Sequence, residues 1–124
     1  MKLTIETTER KFFRQFLEIL SSIPPLNKLR PRELELLSLL MYYNNIYKNL
    51  EPSIRQRVIN NKNTKKEIRE IIGMNDDVFN TNLSILRKNR LIDKSGELIS
   101  TLQIYPTDTF KVEFQFNREK DGGR

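Results

Sequence analysis

Apolar positions recur at helical spacing through most of this chain and at a spacing of two only near its end. Phe12, Phe13, Phe16, Leu17, Ile19 and Leu20 follow Thr8, whose hydroxyl suits a helix cap, and Pro24-Pro25 closes the run. This pattern predicts a first helix over about 9–21. Before it, Leu3 and Ile5 alternate with polar residues, as in a short strand or an extended arm. A second helix begins at Pro31, because proline in the first turn gives up no needed hydrogen bond. Leu34, Leu36, Leu37, Leu39, Leu40 and Met41 cover more than one side of it, which predicts the central and most buried helix. Glu51-Pro52-Ser53 starts a short third helix with Ile54, Val58 and Ile59 on one side, leaving Arg55 and Arg57 to face outward.

Thr64-Lys65-Lys66-Glu67 has the spacing of a capping box, in which the threonine hydroxyl takes a backbone amide and the glutamate reaches back to the cap. It predicts a helix over 65–72, with Ile68, Ile71 and Ile72 on its apolar side and Gly73 as the left-handed closing residue. Met74 is placed to plug the corner that follows. Asn75 caps the next helix, whose acidic first turn, Asp76-Asp77, suits the positive helix end. Phe79, Leu83, Leu86 and Arg90 stack on one face, so residues 64–90 read as a helix-turn-helix with its recognition helix over about 76–90. Leu91-Ile92, a turn at 93–96, and an apolar run from Leu98-Ile99 to Leu102 and Ile104 predict a hairpin over 91–104. Phe110, Val112, Phe114 and Phe116 then alternate with Lys111, Glu113, Gln115 and Asn117, which predicts a strand over 109–117 with one buried face. Residues 1–117 are thus read as one domain and 118–124, charged and carrying Gly122-Gly123, as a flexible tail.

Through Thr64-Lys65-Lys66-Glu67-Ile68, Ile72-Gly73-Met74, Phe79-Asn80-Thr81-Asn82-Leu83, Leu86-Arg87-Lys88 and Leu91-Ile92-Asp93, the chain resembles the winged-helix superfamily over residues 64–104. As a small Lys- and Asn-rich domain it also looks like short winged-helix proteins of tailed bacteriophages. The resemblance implies a mostly helical α+β fold, a winged helix-turn-helix with additional N-terminal helices and a C-terminal β-strand. It further implies a double-stranded DNA partner and a role in regulating transcription or replication. The recognition helix would enter the major groove and the wing would touch adjacent phosphate. On that reading Asn80, Thr81 and Ser84 face base edges, and Arg87 and Lys88 neutralise phosphate. Lys65 and Lys66 grip the backbone, and Lys94 at the wing tip adds a further phosphate contact. Apart from the resemblance, the first helix and the strand at 110–116 offer contacts for a homodimer or another protein partner, and the same residues serve equally to close the core.

Composition narrows the alternatives. A chain of 124 residues supports one core, and its 37% hydrophobic and 31% charged residues place it with folded soluble domains. Its net charge of +6 favours an acidic partner, and Lys48, Arg55, Arg57, Lys62, Lys65, Lys66 and Arg69 gather ahead of the motif while Arg87, Lys88, Arg90 and Lys94 follow it. Glu70, Asp76 and Asp77 interrupt that charge at the start of the recognition helix. Helix capping accounts for the two aspartates, as helix-end electrostatics does for Arg87 and Lys88, without any ligand. With no Cys and no His the usual zinc ligands, thiol nucleophiles and imidazole bases are absent. Carboxylate pairs such as Asp76-Asp77 and Glu33/Glu35 splay apart on a helix, so no enzyme activity, cofactor, metal or small-molecule substrate is expected. The apolar stretch 36–43 is far shorter than the roughly 20 residues of a membrane span, and the first residues lack a signal-peptide core. The expected location is the cytoplasm, or the host cytoplasm or virion for a phage protein. A non-catalytic interaction or virion-assembly role is the alternative, marked by an exposed apolar patch of Val78, Ile85 and the tyrosines Tyr42, Tyr43 and Tyr47. A DNA binder would instead expose a basic stripe across Lys65, Lys66, Arg87, Lys88 and Lys94.

Overall fold

In a computed structural model, which describes residues 4–107 and 109–117, the helical patterns become α1 (Glu9–Ile19), α2 (Pro31–Ile46), α3 (Pro52–Ile59), α4 (Lys62–Ile72) and α5 (Asp76–Lys88). Short 3-10 turns lie at Leu26–Lys28 and Ser100–Leu102. Helix α2 is the axis of the fold: α1, α3, α4 and α5 all pack against it. Its leucines at 34, 36, 37, 39 and 40 and Met41 are buried around most of its circumference, which is why no single apolar stripe is visible in its sequence. Its start is fixed by Pro31 and by Glu33, whose carboxylate accepts from the Arg30 amide at 2.8 Å. Helix α1 lays Phe13 and Leu17 onto α2 and is capped as the sequence suggests, with Thr8 Oγ1 accepting from the Lys11 amide at 3.2 Å.

The start of α4 differs from expectation. Asn61, not Thr64, is the cap, its side chain accepting from the Asn63 amide at 2.8 Å, and Thr64 lies inside the helix. Glu67 is drawn away from the supposed capping box because it accepts a hydrogen bond from the hydroxyl of buried Tyr43 on α2. Gly73 closes α4 with φ 70°, Met74 is buried in the corner, and Asn75 caps α5 by accepting from the Val78 amide at 2.9 Å. Helix α5 ends at Lys88, and Arg90 takes φ 60°, so the chain reverses two residues earlier than the expected end of the recognition helix.

The expected α+β winged fold is not what forms. Among the described residues the fold is all-helical, with no strand and no sheet. The hairpin at 91–104 is reduced to one antiparallel bridge between Ile92 and Leu98, flanked by Asp93 N–H to Glu97 O at 2.9 Å and Ile99 N–H to Leu91 O at 3.1 Å. Two causes are visible. Leu91, Ile92, Leu98 and Leu102 are all buried, so this segment serves as a lid on the helical core instead of alternating across a sheet, and the 3-10 turn at Ser100–Leu102 ends the returning arm. The tip is also tied down: Ser95 O accepts from Asn60 Nδ2 at 2.7 Å and from Gln56 Nε2 at 3.3 Å, both on or just after α3. Arg55, expected to face outward, is 5% exposed beneath this turn, with its guanidinium 3.9 Å from Glu97.

The period-two segment at 109–117 is likewise not a strand, and its apolar row is not buried: Phe110 is 41%, Val112 46%, and Phe114 and Phe116 each 77% exposed. A strand needs a ladder partner, and a core closed by helices offers no sheet edge. The Phe110 ring packs edge-on against Phe12 at 4.9 Å and Phe16 at 5.5 Å, which ties the segment to α1. At the other end, Leu3 lies outside the described residues, and Ile5 is 70% exposed with no strand formed. The tail at 118–124 also lies outside the described residues.

Candidate nucleic-acid interface

With Ile68 and Ile72 of α4 buried, helical geometry places Lys62, Lys65, Lys66 and Arg69 along one flank of that helix. On α5 the buried side is Phe79, Asn82, Leu83 and Leu86, so Asp77, Thr81, Ser84 and Lys88 stand opposite it, with Asn80 and Arg87 toward α4. Asn80, Thr81, Ser84, Arg87 and Lys88 are all exposed. The packing of the two helices brings Lys65 and Arg87 to the rim of one narrow crevice floored by Phe79 and Leu83 and closed by Asn60 and Gly96. Arg87 also borders a second, open hollow of about 340 Å³, together with Arg90, Ile92, Asp93, Lys94 and Ile99. Arg87 therefore joins the cation of α4 to those of the chain reversal and the turn.

No protein-family model, curated protein or solved structure matches this chain.

Of the residues singled out from the sequence, Lys65 and Arg87 border the crevice and Arg87 and Lys94 the hollow, while Lys66 and Lys88 are exposed on their helices and line neither. Asn80, Thr81 and Ser84 line neither depression. The Ser84 hydroxyl donates to Asn80 O at 3.0 Å, so its proton is used within α5 and its oxygen is left as an acceptor. Arg90 was missed. Helical spacing put it on the apolar face of α5, and only the reversal at φ 60° turns it to the surface.

The acidic start of α5 is partly neutralised. Arg69 Nε lies 2.8 Å from Asp76 Oδ1, and the same guanidinium sits 5.7 Å from the centre of the Phe79 ring. Within the hollow, Asp93 accepts from the Ser95 hydroxyl at 2.6 Å and from the amides of Ser95 and Glu97 at 2.8 and 3.0 Å. The hydroxyl first, and those amides with it, hold its carboxyl below the usual carboxylate range, so it closes the turn as an anion and presents Lys94 at the tip. Arg87, Arg90 and Lys94 line the same hollow.

The opposing reading fares differently in its two parts. Val78 is 45% exposed and Ile85 half-buried, but the tyrosines form no outward row. Tyr43 is buried, and Tyr42 and Tyr47 are half-buried against the core. Among the described residues no group of acidic side chains is arranged to hold a metal ion, and no helix is long and apolar enough to cross a membrane.

Proposed function

We propose that the protein is a non-catalytic DNA-binding protein that engages the phosphate backbone of duplex DNA through the basic surface shared by α4, the end of α5 and the turn at 93–97. The observation that carries this reading is the position of Arg87, which borders both the crevice with Lys65 and the hollow with Arg90 and Lys94. Cations contributed by separate parts of the chain thus border two depressions that share Arg87, a layout that helix-end electrostatics alone does not require. Gly73 ends α4 and Asn75 starts α5 two residues later, so the two helices that carry Lys65 and Arg87 are joined by a short turn. The tip of the turn is held against α3 and does not project as a free wing. Because the basic end of α5 is its C-terminal end and Ser84 is committed to its own helix, phosphate contacts dominate over base readout.

Fluorescence anisotropy with a labelled duplex, titrated with salt, tests this. Affinity should fall steeply with salt, with a slope of about 0.9 in log–log form per phosphate neutralised. Arg87→Ala should weaken binding and flatten that slope by about one contact. Lys65→Ala/Lys66→Ala should do so more strongly, while Lys11→Ala, at an exposed position of α1, should leave both unchanged. Failure to bind duplex at low salt would sink the proposal, as would an unaltered slope in Arg87→Ala.

A further inference from the structure

We propose that residues 109–115 of two copies of this chain pair as an antiparallel ribbon, making the protein a homodimer. The inference is independent of the DNA-binding reading and rests on the C-terminal segment. Phe110, Val112 and Phe114 share one side of an alternating pattern, yet within a single chain Phe114 is 77% exposed, and the β-bridge formed among the described residues is Ile92–Leu98. Among the described residues, 109–115 have no ladder partner, and Phe110 stacked on Phe12 and Phe16 fixes where they start on the surface of α1.

Charge selects a second copy of the same segment as the occupant. When Val112 faces Val112 of the other copy in an antiparallel pair, Lys111 of each faces Glu113 of the other, and Phe110 of each faces Phe114 of the other. Two opposite-charge pairs and two aromatic pairs form at once, with every apolar side chain on one side. Moving the register by one step in either direction that keeps this sidedness places Lys111 opposite Lys111 or Glu113 opposite Glu113, which is repulsive. Parallel in-register pairing stacks the same like charges. The segment is therefore self-complementary in one arrangement. In that arrangement the exposed Phe114 is covered by Phe110 of the other copy, itself seated on Phe12 and Phe16, so the ribbon closes on a platform that α1 already provides.

Sedimentation equilibrium on the full chain over a micromolar to millimolar range tests the proposal. The wild type should show a monomer–dimer equilibrium. Phe114→Asp, at a position whose exposure leaves the monomer fold intact, should abolish it. Lys111→Glu and Glu113→Lys should each weaken self-association by about tenfold or more. Mixing those two variants should restore association as a heterodimer, since each then offers the charges that the other lacks, and the double variant Lys111→Glu/Glu113→Lys should regain wild-type dimerisation. A wild type that stays monomeric throughout the range overturns the proposal. So does a dimer unmoved by Phe114→Asp, or one whose single charge variants fail to rescue each other.

Discussion

Asn61, Gly73 and Asn75 set the boundaries of α4 and α5, each through one side-chain atom or one torsion. Because Asn61 accepts from the Asn63 amide in the first turn of α4, Asn61→Ala should destabilise the fold by about 1 kcal/mol, whereas Thr64→Ala, inside the helix, should change stability by a few tenths at most. Urea denaturation of the two variants distinguishes the observed cap from the one suggested by the capping-box spacing. Gly73 has open space around a would-be Cβ, so Gly73→Ala should cost roughly 1 kcal/mol from its positive φ alone. Tyr43 is a different kind of local feature. Burial first, then its hydrogen bond to Glu67 and the charge of that carboxylate, push its hydroxyl well above the ordinary tyrosine value near 10. A folded-state value raised above the unfolded one gives stability that is complete below about pH 10 and is lost as pH rises beyond it, because the unfolded chain releases the proton while the folded one retains it. Tyr43→Phe should therefore show a shallower loss of stability in alkaline denaturation than the wild type.

At the scale of elements, the turn at 93–97 decides most about the surface. Asn60 and Gln56 hold Ser95 O, and Arg55 lies beneath Glu97, so the turn is docked on α3 and carries Lys94 with it. Gln56→Ala/Asn60→Ala should release it. In NMR hydrogen exchange, the amides of Asp93 and Ile99, which bond across the bridge, should then exchange faster, while those within α5 keep their wild-type protection. The same variant should lose DNA affinity through the displaced Lys94 without any cation being removed. Helices α1, α2, α3 and α5 were legible within a few residues because their caps and apolar spacing are local properties of the chain. The candidate surface was legible in part: Lys65, Arg87 and Lys94 stand out as cations near a helix pair, but Arg90 was hidden by a helix end that spacing placed two residues too late. Arg55 was misplaced because the turn that covers it comes from 39 to 42 residues further on in the sequence, as the separation of Gln56 from Ser95 and of Arg55 from Glu97 shows.

At the scale of the whole molecule, an all-helical core around α2 carries the basic surface on α4, α5 and the following turn, while α1 carries the aromatic seat of the C-terminal segment. A two-fold ribbon would pair two basic surfaces in one particle. If both proposals hold, Phe114→Asp should reduce DNA affinity by removing the second set of phosphate contacts while leaving each monomer's surface intact, which anisotropy at protein concentrations above and below the dimerisation range can separate. The sequence by itself determined where the helices lie, since an α-helix closes its hydrogen bonds within four residues and its apolar spacing states which side it buries. Tertiary structure alone decided that the hairpin shrinks to a single bridge, that Arg55 is buried, and that Arg87, Arg90 and Lys94 share one hollow. The alternation at 110–114 marks the difference most clearly. A period of two states that a segment can be a strand, but the ladder must come from elsewhere, and no other part of this chain supplies it among the described residues.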